Sequence, residues 1–177
     1  SRYDKFKNGI IENAFRPELS NGSLMDIGVY CVHPMVKILG KPDRVMASCV
    51  KLHNGVDGMG TILASYDEQG AQAELIYSKI TDSPVPSQIQ GEDGTMYMES
   101  LPILTKVWIR YRDKSREDIS FELEDPGNNM NYEIAEFMRI AEANGSAETH
   151  NQYSVWEMQV MDEARRQMGI VFPADRV

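Results

Sequence analysis

Apolar and polar residues alternate along the middle of the chain, in the two-residue period of a β-strand. In residues 118–124 (DISFELE), Ile119, Phe121 and Leu123 fall on one side and polar residues on the other. The other stretches that we predict as strands are 43–52, 58–67, 71–79, 87–100 and 105–113, with turn-rich segments such as HNGVDG and DEQG between them. Because parallel neighbours need long crossovers, these short connections predict antiparallel pairing.

The period changes to that of a helix near both ends of the chain. Residues 22–40 form a mostly apolar run, and two more helices are predicted at 131–145 and 154–169. In the first of these two, Ile134, Phe137, Met138 and Ala141 make an apolar stripe that we expect to be buried. The second begins with Ser154 and Glu157 at the spacing of a capping box and ends at Gly169.

This order of helix, strands and helices predicts an α+β fold, in which helices cover one face of a largely antiparallel, open sheet. The length of 177 residues suits one domain, and we treat 1–177 as a single domain. The second face of the sheet is not wholly polar, because Leu63 points away from Ile62 and Tyr66, and Ile76 points away from its neighbours.

The amino-acid composition limits the classes of partner that we expect. A formal net charge of −9 argues against nucleic acid, since no positive field would attract phosphates. No apolar stretch reaches the roughly 20 residues that cross a bilayer, and the charged first residues do not resemble a signal peptide, so we predict a cytoplasmic protein without a membrane partner. The three histidines have no His or Cys neighbours at ligand spacing, so no metal site is predicted.

Residues 22–40 (GSLMDIGVYCVHPMVKILG) raise the main question about function. In a helix, Asp26, Tyr30, His33 and Lys37 share one face of an otherwise apolar segment. Pro34 cannot donate a hydrogen bond to the carbonyl of Tyr30, so the helix should kink or restart beside that residue. The polar face is either a solvated surface or one wall of a cleft that meets a substrate, and the spacing alone leaves both open.

The segment FRPELSNGSLMDIGVYCVHPMVKILGKP resembles the signature of the carboxy-terminal domain of the Gfo/Idh/MocA oxidoreductases. That pattern has an Arg, a short loop, Gly-Gly-x-Leu-x-Asp-x-Gly-x-His/Tyr and an apolar helix ending in Gly-x-Pro. The strand turn IQGEDGTMYMES and the two closing helices are also similar to the family. Many family members have His at the position of Tyr30. A Tyr there resembles the branch of the family that includes dimeric dihydrodiol dehydrogenase.

The resemblance implies a two-domain enzyme that transfers a hydride between NAD or NADP and a sugar, polyol or related compound. Family members bind the cofactor mainly on an amino-terminal Rossmann domain, and this sequence has neither its G-x-G-x-x-G motif nor the family's Glu-Lys-Pro motif. We therefore expect the chain to be the second half of such an enzyme, inactive alone and without a bound cofactor.

The resemblance also assigns residues. Tyr30 transfers the proton, and Asp26 orients the substrate hydroxyl or a lysine of the other domain. His33 is the reserve acid or base, and Arg16 lies near cofactor and substrate or only at the surface. A phenol, with an ordinary pKa of about 10, needs a nearby cation to act as a base, and Asp26, one turn away, opposes this. Lys37 lies about 16 Å along the helix from Asp26, too far to offset that carboxylate, so the cation is expected on the other domain.

Two functions fit the sequence. The first is the substrate domain of an NAD(P)-dependent oxidoreductase, and the alternative is a non-catalytic module for sugar sensing or dimerisation. In the family that the chain resembles, the uncovered face of the sheet packs against another subunit. A homodimer through the open sheet face is therefore expected in both cases.

Overall fold

A computed structural model describes residues 1–122, 130–143, 145 and 148–176 of the chain. The chain divides into two compact units, Ser1–Asp82 with Glu148–Val177 and Ser83–Ala147. In the described residues the helices are α1 Arg2–Lys7, α2 Val29–Leu39, α3 Met130–Glu142 and α4 Glu148–Met168. The strands are β1 Arg44–Lys51, β2 Asp57–Tyr66, β3 Ala71–Ser78, β4 Ser87–Gln90, β5 Gly94–Met98, β6 Lys106–Tyr111 and β7 Ile119–Glu122.

The first unit contains an antiparallel sheet with the order β1-β2-β3. On one face of it, Ile62, Ala64 and Tyr77 are buried in a core that Val36 of α2 and Ala164 of α4 complete. Burial of this apolar surface provides most of the driving force for folding of the unit. The core therefore fixes α2, the helix that carries the candidate residues, against the sheet.

The other face of this sheet carries exposed apolar residues. Met46 pairs with Leu63 and Thr61 pairs with Ile76 in the register of the sheet. Met46, Val50 and Ile76 are all exposed, Ile76 to 61%. The mixed character that the sequence predicts for this face is therefore present in the structure.

The second unit contains a four-stranded antiparallel sheet with the order β4-β5-β6-β7. Tyr97 and Trp108 are cross-strand partners, and their rings stack at a centroid distance of 5.2 Å. Pairs of this kind stabilise a sheet beyond the area they bury. In β7, Ile119 and Phe121 lie on one side as predicted, and Leu123 lies outside the described residues.

The predicted α+β fold with antiparallel, open sheets is confirmed, with the strands distributed over two sheets. One helix start was predicted wrongly. Helix α4 begins at Glu148, and the Ser154 hydroxyl donates to the carbonyl of His150 inside the helix instead of capping its first turn. A serine at capping spacing can also bond back to the preceding turn, so the pattern is ambiguous. The end at Gly169 was correct, and its φ of 63° suits a glycine.

The apolar stripe of α3 does not have the burial that its spacing predicts. Ile134, Phe137 and Met138 are exposed, Phe137 to 73%. An amphipathic pattern tells which face of a helix is apolar but not which surface covers it. Among the helices that the structure describes, none is long and apolar enough to cross a membrane.

Candidate active site

The four polar residues of the 22–40 segment lie in one exposed row. Tyr30, His33 and Lys37 are exposed on α2, and the side chain of Asp26, one turn before Tyr30, is 42% exposed. Tyr30 is 49% exposed, although its ring is large and apolar. The row therefore exists as a surface that a ligand can reach, with a phenol and a carboxylate one helical turn apart.

An irregular turn precedes α2 and carries Asp26. Residues Leu24–Gly28 form a π-helical turn, and the regular helix begins at Val29, one residue before Tyr30. Pro34 lies inside α2, which runs as one helix from Val29 to Leu39, so the restart predicted from Pro34 is not found there and the change of helix type comes earlier, at Val29. Turns of this kind occur mainly at functional sites, because they aim side chains in directions a regular helix does not offer.

Asp57 holds the start of this turn from the neighbouring strand. The side chain of Asp57 is buried, and its Oδ2 accepts a hydrogen bond of 2.6 Å from the backbone N–H of Leu24. A carboxylate at a helix start satisfies N–H groups that have no partner within the helix. Burial nevertheless raises the pKa of the Asp57 carboxyl above its ordinary value, and the bond from Leu24 only partly opposes that effect.

Two glycines of the segment are required by close packing. A Cβ on Gly22 would lie 2.2 Å from Oδ1 of Asp57. A Cβ on Gly28 would lie 2.8 Å from Cδ1 of Leu24 and 3.2 Å from the ring of Tyr77. The glycines at these motif positions therefore let the turn approach the sheet, and neither has a positive φ.

Lys79 is a residue of this site that the sequence analysis missed. Its Nζ lies 2.7 Å from Oδ2 of Asp26 and donates a second bond of 2.7 Å to the carbonyl of Ala14. The signal was present in the alternation of β3, since Leu75 and Tyr77 face the helices and Lys79 comes two residues later. The sequence analysis looked for a cation only on the helix itself and on another domain.

His33 has a different partner. Its Nδ1 lies 2.9 Å from Oε2 of Glu157 on α4, a carboxylate that is nearly buried. The imidazole thus joins α2 to α4 while about half of it stays exposed. His33 can exchange a proton at this edge of the row, and the contact also gives it a structural role.

Arg16 is exposed, in the loop between two short 3₁₀ turns, Asn13–Phe15 and Pro17–Leu19. The Asn21 amide donates 2.8 Å to the carbonyl of Asn13, which closes this loop before the π-helical turn. Ala14, the partner of Lys79, lies two residues before Arg16. The loop that carries Arg16 is therefore linked to Asp26 through Lys79, whose ammonium contacts both the Ala14 carbonyl and Asp26.

Gly58 and Gly60 do not form a phosphate-binding loop. Gly58 and Gly60 are the nearest match to a phosphate-binding pair, and both lie in β2. A Cβ on Gly60 would be 2.3 Å from the Tyr77 hydroxyl, and one on Gly58 would be 2.8 Å from Leu52. These glycines pack against side chains, whereas a phosphate site needs a free loop at a helix start.

The sequence is similar to known oxidoreductases over its whole length. It is 48% identical over 178 residues to scyllo-inositol 2-dehydrogenase (NADP(+)) IolU of Bacillus subtilis, a match that covers 99% of this chain and 53% of that protein. It is 26% identical to trans-1,2-dihydrobenzene-1,2-diol dehydrogenase of Danio rerio, over 93% of this chain and 52% of the relative. The chain thus spans about half the length of the curated relatives it matches.

Solved structures share the fold. A 3-ketoreductase from Actinomadura kijaniata, solved with TDP-benzene and NADP, superposes with a TM-score of 0.66 at 20% identity, covering 83% of this chain and 47% of that one. The family model of the GFO/IDH/MocA C-terminal domain matches residues 2–97, which include the π-helical turn, α2 and the three-stranded sheet. The chain therefore belongs to the GFO/IDH/MocA C-terminal domain family, as its signature segment indicates.

Proposed function

We propose that this chain is the substrate domain of an NADP-dependent oxidoreductase that acts on a polyol or sugar. The observation that carries the proposal is the exposed pair of Tyr30 and Asp26, one turn apart on a helix that both the core and Asp57 hold in place. Support for the substrate class comes from the identity of 48% with a scyllo-inositol dehydrogenase along nearly the whole chain.

The residues of this chain then have distinct roles. The phenol of Tyr30 exchanges a proton with the reacting oxygen of the substrate, and the exposed part of Asp26 accepts a hydrogen bond from a neighbouring hydroxyl. To His33, on the same helix, and to Arg16, in the loop that Lys79 links to Asp26, we assign contacts with more distant hydroxyl groups. The nicotinamide, held by a domain outside this chain, supplies the hydride acceptor.

The homodimer belongs to the proposal as well. Met46, Val50 and Ile76 form an exposed apolar group on the open face of the three-stranded sheet, and we assign this face to contact with a second copy. The cytoplasmic location stays a prediction from the sequence.

The test uses the longer protein that contains this chain, with scyllo-inositol and NADP⁺ as the probe pair. We expect reduction of NADP⁺, followed at 340 nm, when scyllo-inositol is added. D-xylose and trans-1,2-dihydrobenzene-1,2-diol, the compounds that name other relatives, serve as comparison substrates. NAD⁺ in place of NADP⁺ tests the choice of cofactor.

Failure to reduce NADP⁺ or NAD⁺ with all three compounds would contradict the proposal. If the same protein nevertheless bound scyllo-inositol in calorimetry, the result would favour the non-catalytic sugar-sensing module. Turnover of D-xylose alone would support the oxidoreductase activity but show that the substrate is an aldose and not an inositol.

A further inference from the structure

Lys79 carries an ammonium group into the interior beside the candidate site. Its backbone N–H donates 2.9 Å to the carbonyl of Gly58, which extends the pairing of β3 with β2 by one residue. The side chain is only 7% exposed. A cation so far from water is costly unless its environment compensates for the lost hydration.

Three groups provide that compensation. The Lys79 ammonium lies 2.7 Å from Oδ2 of Asp26, donates 2.7 Å to the carbonyl of Ala14 and lies 5.6 Å from the centroid of the Phe15 ring. The Phe15 carbonyl in turn accepts 2.6 Å from the side chain of Asn54, so the loop is also held from its other side. The ammonium therefore joins the sheet, the 13–16 loop and the π-helical turn at one point.

We propose that Lys79 is a positioning residue of the active site, which fixes the Asp26 carboxylate and offsets its negative charge beside Tyr30. The proposal rests on the function assigned to Asp26 and Tyr30 above. Lys79 itself is too deeply placed to meet a substrate, whereas Asp26 remains partly exposed, so Lys79 acts through Asp26.

The spacing of Asp26 and Tyr30 gives an electrostatic reason for this role of Lys79. A carboxylate one turn from Tyr30 disfavours negative charge on the phenol oxygen, and proton transfer from the phenol needs that charge to develop. An ammonium in contact with the carboxylate offsets part of its negative charge. A cation of this chain therefore weakens the unfavourable effect of Asp26 on the phenol.

The geometric reason lies in the carboxylate itself. With Oδ2 held by Lys79, the Asp26 side chain has one orientation and does not rotate freely at the surface. A hydroxyl of the substrate then meets an acceptor whose position is already set, and positioning of this kind lowers the entropic cost of reaching the transition state.

A double-mutant cycle in the longer protein tests whether Lys79 acts through Asp26. The four forms are the native protein, Lys79→Met, Asp26→Asn and the double variant, each assayed with scyllo-inositol and NADP⁺. We expect Lys79→Met to lower kcat/KM roughly tenfold in the native background and less than about twofold in the Asp26→Asn background. Lys51→Met is the matched control, because Lys51 also donates 2.7 Å to a backbone carbonyl, that of Gly169, on another edge of the sheet.

Two results would overturn the inference, and they differ from failure of the proposed function. If Asp26→Asn lowers kcat/KM but Lys79→Met lowers it equally in both backgrounds, the function stands and the role of Lys79 is only structural. If Asp26→Asn leaves kcat/KM unchanged, Asp26 is not part of the site, and both the residue assignment and the inference fail.

If Lys79→Met does not fold, a second variant and a measurement that does not depend on enzyme activity still test the inference. Lys79→Gln keeps a donor for the Ala14 carbonyl but removes the charge, and the same loss of kcat/KM is expected. In the 177-residue chain, NMR of the lysine ammonium groups should show a scalar coupling from Nζ of Lys79 to Cγ of Asp26 through their hydrogen bond. A Lys79 signal without that coupling, with fast solvent exchange, would exclude the contact.

Discussion

Gly28 lies directly against the ring of Tyr77, so that a Cβ on residue 28 would be 3.2 Å from both Cγ and Cδ1 of the ring. Tyr77 cannot move away easily, because it is buried and its hydroxyl contacts Sδ of Met168 at 3.6 Å. The contact sets how closely the π-helical turn approaches the sheet. It therefore also sets the position of Asp26, two residues before Gly28.

Gly28→Ala should destabilise the first unit. The added methyl group has no free space, and overpacking of this kind costs about 1 to 3 kcal/mol in the free energy of unfolding. Urea denaturation of the chain measures the loss. Gly91→Ala is the control, since a Cβ there meets only the Gly94 carbonyl at an ordinary 3.6 Å and should change stability by less than about 0.5 kcal/mol. Equal stability of the two variants would contradict the packing role of Gly28.

Asp57→Asn should alter how stability depends on pH. Burial raises the pKa of the Asp57 carboxyl above its ordinary 3.8, so between these two values the folded chain holds a proton that the unfolded chain has lost. The free energy of unfolding of the native chain therefore falls relative to that of Asp57→Asn as the pH rises through that window. Below the window the two free energies of unfolding change in parallel with pH.

Unfolding experiments on both forms between pH 3 and pH 7 measure this difference. Carboxylates with a lowered pKa, such as Glu163 beside Arg166, act in the opposite direction but are common to both forms and cancel. An advantage of Asp57→Asn that stays constant, or shrinks, as the pH rises would show that the hydrogen bond from Leu24 outweighs burial.

Much of this account follows from the sequence, because the strands and helices depend on local periodicity. The alternation in 71–79 predicts which side chains of β3 face the helices, and Tyr77 does so. The row of Asp26, Tyr30, His33 and Lys37 also follows from spacing alone. The exposure of this row does not follow from the spacing, because the elements that pack beside a polar face decide whether it lines a cleft or meets solvent.

The missed features depend on contacts between distant parts of the chain. Lys79 reaches Asp26 across 53 residues of sequence, and Asp57 reaches Leu24 across 33. The alternation of β3 indicates which face Lys79 is on, but no local pattern shows that Lys79 pairs with Asp26 or that Asp57 pairs with Leu24. The π-helical turn, which packs against Tyr77 through Gly28, likewise has no local pattern that distinguishes it from a regular helix.

The chain should form a dimer through the open face of the three-stranded sheet. Sedimentation equilibrium at micromolar concentration should give twice the chain mass of 20.1 kDa. Ile76→Glu places a charge within the exposed apolar group of that face and should give the monomer, whereas Ile38→Glu, at an exposed position on α2, should not. A native chain that sediments as a single 20.1 kDa species would exclude the dimer.

The 177-residue chain should not bind NADPH tightly by itself. Its two candidate glycines, Gly60 and Gly58, are packed against Tyr77 and Leu52 and do not form a free phosphate-binding loop. Calorimetry with NADPH should detect no binding in the low micromolar range, while the longer protein should bind. Low-micromolar affinity of the chain alone would place a cofactor site within it.

The kcat of Tyr30→Phe in the longer protein tests whether the Tyr30 phenol transfers the proton in the reaction. The substitution removes only the phenol oxygen from a half-exposed ring, so folding and NADP⁺ affinity should not change. We expect kcat with scyllo-inositol to fall by about 100-fold or more, the usual contribution of a general acid or base. A Tyr30→Phe enzyme with normal kcat would remove Tyr30 from proton transfer and leave His33 as the remaining candidate on the row.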